Sequence, residues 1–169
     1  MRKSRKSTMT PNAPEVDGNM LNDMSIVRAG REHIEDIMKV EKLCFKIPWS
    51  QQSITDEFVN NEAAVYYCAV IGGRAVGYGG MWQVLDEGHI TNIAVHPEFR
   101  QSGLGSALME VLLEEAKSRG LTALTLEVRR SNLSAQALYR KYGFSDGGMR
   151  KRYYADNNED AIIMWKRLE

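Results

Sequence analysis

The stretch that decides the fold reads Asn92-Ile93-Ala94-Val95-His96-Pro97-Glu98-Phe99-Arg100-Gln101-Ser102-Gly103-Leu104-Gly105-Ser106. An apolar, strand-like run stops at Pro97, a loop containing Gly103 and Gly105 follows, and apolar residues at helical spacing begin at Leu104. The unpaired N–H groups of a first helical turn converge on one point and the helix dipole adds positive charge, so such a junction suits an anion. Taken alone, the two glycines leave open a helix start that merely tolerates glycine.

The sequence excludes two better-known phosphate-binding loops. A P-loop carries a lysine directly after its last glycine, and Ser106 stands there instead. A dinucleotide-binding fingerprint needs Gly or Ala three residues after the second glycine, where this chain has Leu108, and here a meander of strands precedes the helix. A different class of anion site therefore remains.

Working outward, hydrophobic periodicity and turn residues predict eleven elements in the order β-αα-βββ-α-β-α-ββ. The predicted strands are residues 25–28, 64–71, 74–85, 88–95, 121–128, 144–154 and 160–168. The predicted helices are residues 32–44, a short helix after Ser50, residues 104–119 and residues 131–142. Gly72-Gly73 predicts a tight hairpin, and Gly79 and Gly80 inside the next strand indicate a bend or a close neighbour.

Composition bounds the class of protein. The 169 residues suit one domain, and 22 basic against 22 acidic residues give a formal charge of zero. This balance argues against a generally basic nucleic-acid-binding protein, and no apolar run is long enough to span a bilayer. Cys44 and Cys68 fit neither a disulfide framework nor a zinc site, so we expect a cytoplasmic protein without a metal.

Residues 1–24 differ from the rest of the chain, being basic at the start and then rich in Pro, Asn and Gly. Such a segment has too little apolar surface to offset its ordering entropy, so we expect a disordered extension before a domain at residues 25–169. Met20 and Met24 are alternative starts to Met1. A weak nucleic-acid-binding arm is the minor interpretation.

The central stretch resembles the coenzyme A motif of the GNAT acyltransferases in Asn92–Val95 and in Arg100-x-x-Gly103-x-Gly105. The resemblance continues in order through Leu126-Glu127-Val128-Arg129 and residues 137–144. Further segments are similar to the RimI type of that family, so that the resemblance covers about residues 26–168: Pro48-Trp49-Ser50, Ser131-Asn132, Tyr153-Tyr154 and residues 159–164.

The resemblance implies an α/β GNAT fold, a mixed and largely antiparallel sheet flanked by helices. It implies transfer of an acetyl group from acetyl-CoA to a protein N-terminus, with the N-terminal alanine of the eighteenth small-subunit ribosomal protein as the expected acceptor. Other protein N-termini or small amines are the nearer alternative, and a non-catalytic acyl-CoA-binding module is an alternative of another class. Oligomeric state cannot be read from the sequence.

By position, the resemblance also implies which residues hold acetyl-CoA. Pantetheine is expected on the strand backbone and the pyrophosphate on the loop and helix start, with one further contact from the helix cap after the next strand. The expected residues are Ile93, Ala94, Val95, Arg100, Gln101, Ser102, Gly103, Leu104, Gly105, Ser106 and Asn132. Many family members carry a basic residue where this chain has Ser106.

Two residues match the proton carriers of the family. Glu127 matches the general base, although a glutamate beside Arg129 would otherwise be read as a solvated charge. Tyr139 matches the general acid that protonates the departing thiolate; helical geometry points it about 100° away from Leu138, which we expect to be buried.

The remaining candidates are weaker. His33, His89 and His96 have no metal-ligand spacing and are expected to be structural or exposed. Trp49 either staples the helix that begins after Ser50 or borders the peptide groove, and the residues do not decide between the two.

Overall fold

The computed structural model describes residues 22–169. Residues 1–21 of the predicted extension at residues 1–24 lie outside the described residues, so its disorder stays a prediction. The first strand begins at Met24, within the predicted extension. Among the described residues, no helix is long and apolar enough to cross a membrane.

Within residues 22–169, seven strands form one mixed sheet in the order β1-β2-β3-β4-β5-β7-β6. Of the strand pairs in this sheet, only β4–β5 is parallel. The strands are β1 (Met24–Arg28), β2 (Ala64–Ile71), β3 (Arg74–Val84), β4 (Glu87–Val95), β5 (Ala123–Arg129), β6 (Ser145–Tyr154) and β7 (Glu159–Arg167). The α-helices are α1 (Ile34–Cys44), α2 (Gln51–Thr55), α3 (Leu104–Ser118) and α4 (Leu133–Lys141). The predicted fold class, a largely antiparallel sheet flanked by helices, is confirmed.

Helices cover both faces of the sheet. On one face, Ile37 and Val40 of α1 pack with Ile54 of α2 against the sheet. On the other, Leu112 of α3 and Tyr139 of α4 share a core with the even-numbered residues of β5. Since successive strand residues point to opposite faces, the odd-numbered residues of β5 point toward the side of α1 and α2. The buried residues of α3 are Leu104, Leu108, Met109, Leu112 and Ala116.

Strand β4 changes partners along its length. Its first half, from Glu87 to Ile90, pairs with β5, but its second half pairs with β3 alone. Thr91 is an extra residue at this point, because Met81 pairs with Ile90 and Gly80 with Asn92. A one-residue bulge bends its strand and strengthens the local twist. The two central strands therefore part after residue 90 and leave a gap in the middle of the sheet.

The bulge is held by Tyr66, whose hydroxyl hydrogen-bonds to the Thr91 hydroxyl at 2.7 Å. The Tyr66 ring reaches this position by crossing the backbone of Gly80. A Cβ atom on Gly80 would lie 2.0 Å from ring atom Cδ1, and the ring is itself fixed by stacking on Phe58 at 4.8 Å. The close neighbour expected inside this strand is thus an aromatic ring.

We expect Gly80→Ala to lower the free energy of unfolding by about 2 kcal/mol or more, because overpacking a core forces side chains and backbone to shift. Urea denaturation measures the change. Gly105→Ala is the matched control, since its Cβ would meet only Leu138 Cδ2 at 3.4 Å and alanine favours a helix. Equal stability of Gly80→Ala and the wild type would contradict the role given to this contact.

Candidate active site

The gap between β4 and β5 opens into a cavity of about 700 Å³. Its walls come from the α1–α2 loop, the free half of β4, the end of β5, α4 and the turn between β6 and β7. In an antiparallel pair, alternate residues direct their N–H and C=O groups away from the partner strand. The free half of β4, which contains Ile93, Ala94 and Val95, therefore presents backbone groups to the gap. The Val95 carbonyl already accepts from Arg100 Nε at 3.2 Å.

The loop after β4 prepares the start of α3. Gln101 and Gly103 have positive φ angles of 59° and 87°, which turn the chain sharply into the helix. The first intrahelical bond runs from Ala107 N–H to the Gly103 carbonyl at 2.9 Å. The N–H groups of Leu104, Gly105 and Ser106 therefore make no hydrogen bond among the described residues. Three free amides at a helix start form an anion site.

A lysine stands beside these amides. Lys141, at the end of α4, places Nζ 3.2 Å from the Ser106 hydroxyl. Many members of the family that this stretch resembles carry their basic residue at the position of Ser106 itself. In this chain the neighbouring helix brings a positive charge to the same place.

Glu127 is the first residue of β5 beyond its pairing with β4, and it points to the face of α1 and α2. Its side chain is 8% exposed. His89 Nε2 lies 2.6 Å from Oε2, and Arg150 Nη2 lies 3.3 Å from Oε1. A carboxylate that is partnered on both oxygens and lines the cavity is fixed in place at the edge of the gap.

Tyr139 reaches the same cavity from the opposite face of the sheet. It is more buried than Leu138 or Tyr142, contrary to the helical-wheel expectation, because its ring packs beside Phe144 at 6.0 Å. The Tyr139 hydroxyl has no hydrogen-bond partner within residues 22–169. Every fully buried side-chain polar atom in that part of the chain does have a partner. The Tyr139 hydroxyl is therefore not fully buried, and it faces the cavity that the residue lines. Burial raises the pKa of Tyr139 well above its usual value of 10, which keeps it protonated.

The sequence matches the acetyltransferase (GNAT) family over residues 34–144, about two thirds of the chain. The chain belongs to the GNAT family. It is therefore an acyltransferase, and the gap between β4 and β5 is the candidate active site of a GNAT enzyme.

Curated GNAT relatives carry more specific names. An Escherichia coli protein, named ribosomal protein bS18-alanine N-acetyltransferase, is 39% identical over 74% of this chain and 84% of its own length. A Bacillus subtilis protein, which has the same name in provisional form, is 43% identical over 79% of this chain and 89% of its own. The crystal structure of the E. coli ribosomal-protein-S18-alanine N-acetyltransferase covers 86% of this chain and 94% of its own, with a TM-score of 0.79 and 33% identity.

Four of the residues predicted from the sequence line the cavity, namely Glu127, Tyr139, Ile93 and Asn132. Ala94, Val95 and the loop residues 100–106 are not part of its lining. The loop residues lie before and at the start of α3, and their contacts with a cofactor stay predictions. Asn132 caps α4, since its Oδ1 accepts from Ala135 N–H at 3.2 Å; its contact with a cofactor stays a prediction. Arg100 turns back to Val95 and is exposed, so its contact with the pyrophosphate also stays a prediction.

Three residues at the site were not predicted from the sequence. His89 on β4 and Arg150 on β6 both contact Glu127. His89 and Glu127 are separated by 38 positions in the sequence. Glu41 is 1% exposed and accepts from the Trp49 N–H at 2.7 Å and from the Tyr78 hydroxyl. An acidic residue on the apolar side of the predicted first helix was the available signal for Glu41. The sequence held no such signal for His89.

Trp49 borders the cavity while its ring is half-buried against the core beneath α1 and α2. Both interpretations of this residue therefore describe part of its position.

Across the cavity, Arg129 binds Asp156 at 3.0 Å and Glu159 at 3.2 Å. Hydrogen bonds from Ser131 lower the pKa of Glu159 to about 2. The turn between β6 and β7 is thus tied to the end of β5.

Residues 22–169 contain no group of three or more His, Cys, Asp or Glu residues placed to hold a metal ion.

Proposed function

We propose that this GNAT enzyme transfers the acetyl group of acetyl-CoA to the N-terminal α-amine of a protein, with the alanine of ribosomal protein bS18 as acceptor. The observation that carries the reaction is the meeting of Glu127 and the Tyr139 hydroxyl in one cavity from opposite faces of the sheet. The choice of acceptor rests on the names of relatives that are 39% and 43% identical.

The residues present fit acetyl-CoA. The free amides of Leu104, Gly105 and Ser106 suit the pyrophosphate, and Lys141 adds a positive charge beside them. A Cβ on Gly105 would meet only one protein atom within 4 Å, so the space in front of this backbone is left for a ligand. The free edge of β4 would pair with the amides of the pantetheine arm at Ile93 and Ala94.

In this proposal the acceptor and the cofactor enter from opposite faces. The acceptor ammonium gives one proton to Glu127, directly or through a water. The amine nitrogen then bonds to the thioester carbonyl carbon while the carbon–sulfur bond breaks, and the sulfur takes a proton from Tyr139. The acetylated nitrogen loses its second proton to water, and the Tyr139 phenolate regains a proton from water, so that a neutral amide and a thiol remain. An α-amine has a pKa near 8, so Glu127 needs to supply only modest help. Tyr139 can donate because its raised pKa keeps it protonated.

Intact-mass measurement tests the function itself. A peptide with the N-terminal sequence of bS18 should gain one acetyl group when incubated with the enzyme and acetyl-CoA. The same peptide with a blocked N-terminus, and a polyamine, are the controls. Acetylation of the polyamine alone would favour the small-amine alternative, and binding of acetyl-CoA without transfer to any acceptor would favour the non-catalytic one.

We expect Gly105→Val to raise the dissociation constant for acetyl-CoA about tenfold or more, because a branched side chain would hold the pyrophosphate away from the free amides. Calorimetry on the folded variant measures this change. Ser118→Val introduces the same side chain at the exposed end of the same helix, away from the loop, and should bind normally. Unchanged affinity in folded Gly105→Val would remove the phosphate site from this loop.

We expect Glu127→Gln and Tyr139→Phe each to lose kcat by about 100-fold or more, the usual size of general acid or base catalysis. Their affinity for acetyl-CoA should change little. Raising the pH should partly restore Glu127→Gln, because the acceptor amine then deprotonates without help. Tyr139→Phe should not recover, since its missing proton is needed by the sulfur. Wild-type rates for both variants would show that these residues are structural.

A further inference from the structure

His89 is the only described side chain that forms a hydrogen bond with the Glu127 carboxylate. Its Nε2 lies 2.6 Å from Oε2, whereas Arg150 forms a looser ion pair at 3.3 Å. An ionised carboxylate can only accept, so Nε2 must carry the proton and donate it. The His89 side chain is 31% exposed, against 8% for Glu127. The imidazole thus lies between the buried carboxylate and solvent.

The sheet register holds the imidazole in place. His89 lies opposite Trp82 on β3 and next to Thr125 on β5. Glu127 follows Thr125 by two residues and therefore points to the same face. Because β4 and β5 still pair at residues 89 and 90, His89 lies on the last paired part of these strands before the gap.

Few other ionisable groups face the pair. Arg150 and Tyr154 approach from β6, and Tyr139 and Glu41 line the same cavity from α4 and α1. On the β3 side, the Trp82 indole donates to Glu57 at 2.6 Å. On β7, Ile163 lies opposite Glu127. Among these groups, only Arg150 contacts Glu127, and Glu41 and Glu57 are held by their own donors. Arg129, two residues further along β5, is bound by Asp156 and Glu159. His89 is therefore the side chain that can fix the direction of the carboxylate.

We propose that His89 is the positioning residue of the base: its Nε2–H orients the Glu127 carboxylate toward the cavity. This inference rests on the proposed role of Glu127. The hydrogen bond from His89 fixes Oε2, and the ion pair with Arg150 is made by Oε1. The carboxylate is therefore held in one direction in which it can accept a proton from the acceptor amine.

Two substitutions test the orienting hydrogen bond. His89→Gln keeps an amide donor about as far from Cα as Nε2, whereas His89→Leu removes the donor. At pH 8 we expect His89→Leu to lose kcat about tenfold or more, the size expected for one hydrogen bond to a charged group, with KM for acetyl-CoA unchanged. His89→Gln should stay within about threefold of wild type, because it restores the hydrogen bond.

Recovery of kcat in His89→Gln, together with a loss of kcat but not of KM in His89→Leu, is the readout that a merely structural role would not give. His33→Gln is the matched control. His33 accepts from the Gly30 N–H at 3.0 Å, far along the chain from the gap, and its replacement should leave kcat unchanged.

Glu127→Gln, measured in parallel, separates the two levels of the proposal. Loss of activity in Glu127→Gln, with wild-type rates in both His89 variants, would overturn the inference and leave the base in place. Equal losses in His89→Gln and His89→Leu would reduce His89 to a structural residue and also overturn it. Wild-type activity in Glu127→Gln would overturn the base and the inference together.

Discussion

The geometry of the site depends on the contact between the Tyr66 ring and the backbone of Gly80. Only a residue without Cβ lets the ring cross the strand here, since an added Cβ would lie 2.0 Å from it. The ring then carries its hydroxyl to Thr91, the extra residue of the bulge. The bulge ends the pairing of β4 with β5, and this separation creates the cavity, frees the backbone of β4 and leaves Glu127 at the edge of the gap. The missing side chain at Gly80 thus allows the gap between β4 and β5, and this gap connects the two faces of the sheet.

The two candidate proton carriers differ because their surroundings differ. Glu127 has a partner on each oxygen, and it lies on the side of α1 and α2. Tyr139 belongs to the apolar core of the other face, and burial raises its pKa. Placing a held carboxylate and a desolvated phenol on opposite sides of one gap separates proton acceptor from proton donor. This arrangement matches a reaction in which one reactant loses a proton and the other gains one.

Sequence patterns predicted the elements well and their relations less well. Periodicity and turn residues predicted the order and type of every strand and α-helix in residues 22–169. The resemblance to GNAT enzymes pointed to Glu127, Tyr139 and the loop at Gly103 and Gly105, whose roles stay predictions. Local spacing could not give the parting of β4 from β5, because it depends on Tyr66, Gly80 and Thr91 meeting across strands. For the same reason His89 looked like a scattered histidine. Tyr139 was expected away from the buried face, because a helical wheel does not record that α4 packs against Phe144 as well as the sheet.

The acceptor side of the cavity has two walls, and both are held by ionic groups behind them. Glu41 ties the Trp49 backbone to the Tyr78 hydroxyl, which also accepts from the Asn92 amide at 2.9 Å on the free half of β4. On the other side, Arg129 lies 3.9 Å from the centre of the Tyr154 ring while it binds the turn between β6 and β7. The walls themselves are loop and turn, and they leave a groove that is open to solvent. A small amine would need enclosure to be held, whereas an extended chain end can be gripped along its length between two fixed walls, which favours a polypeptide N-terminus as the acceptor.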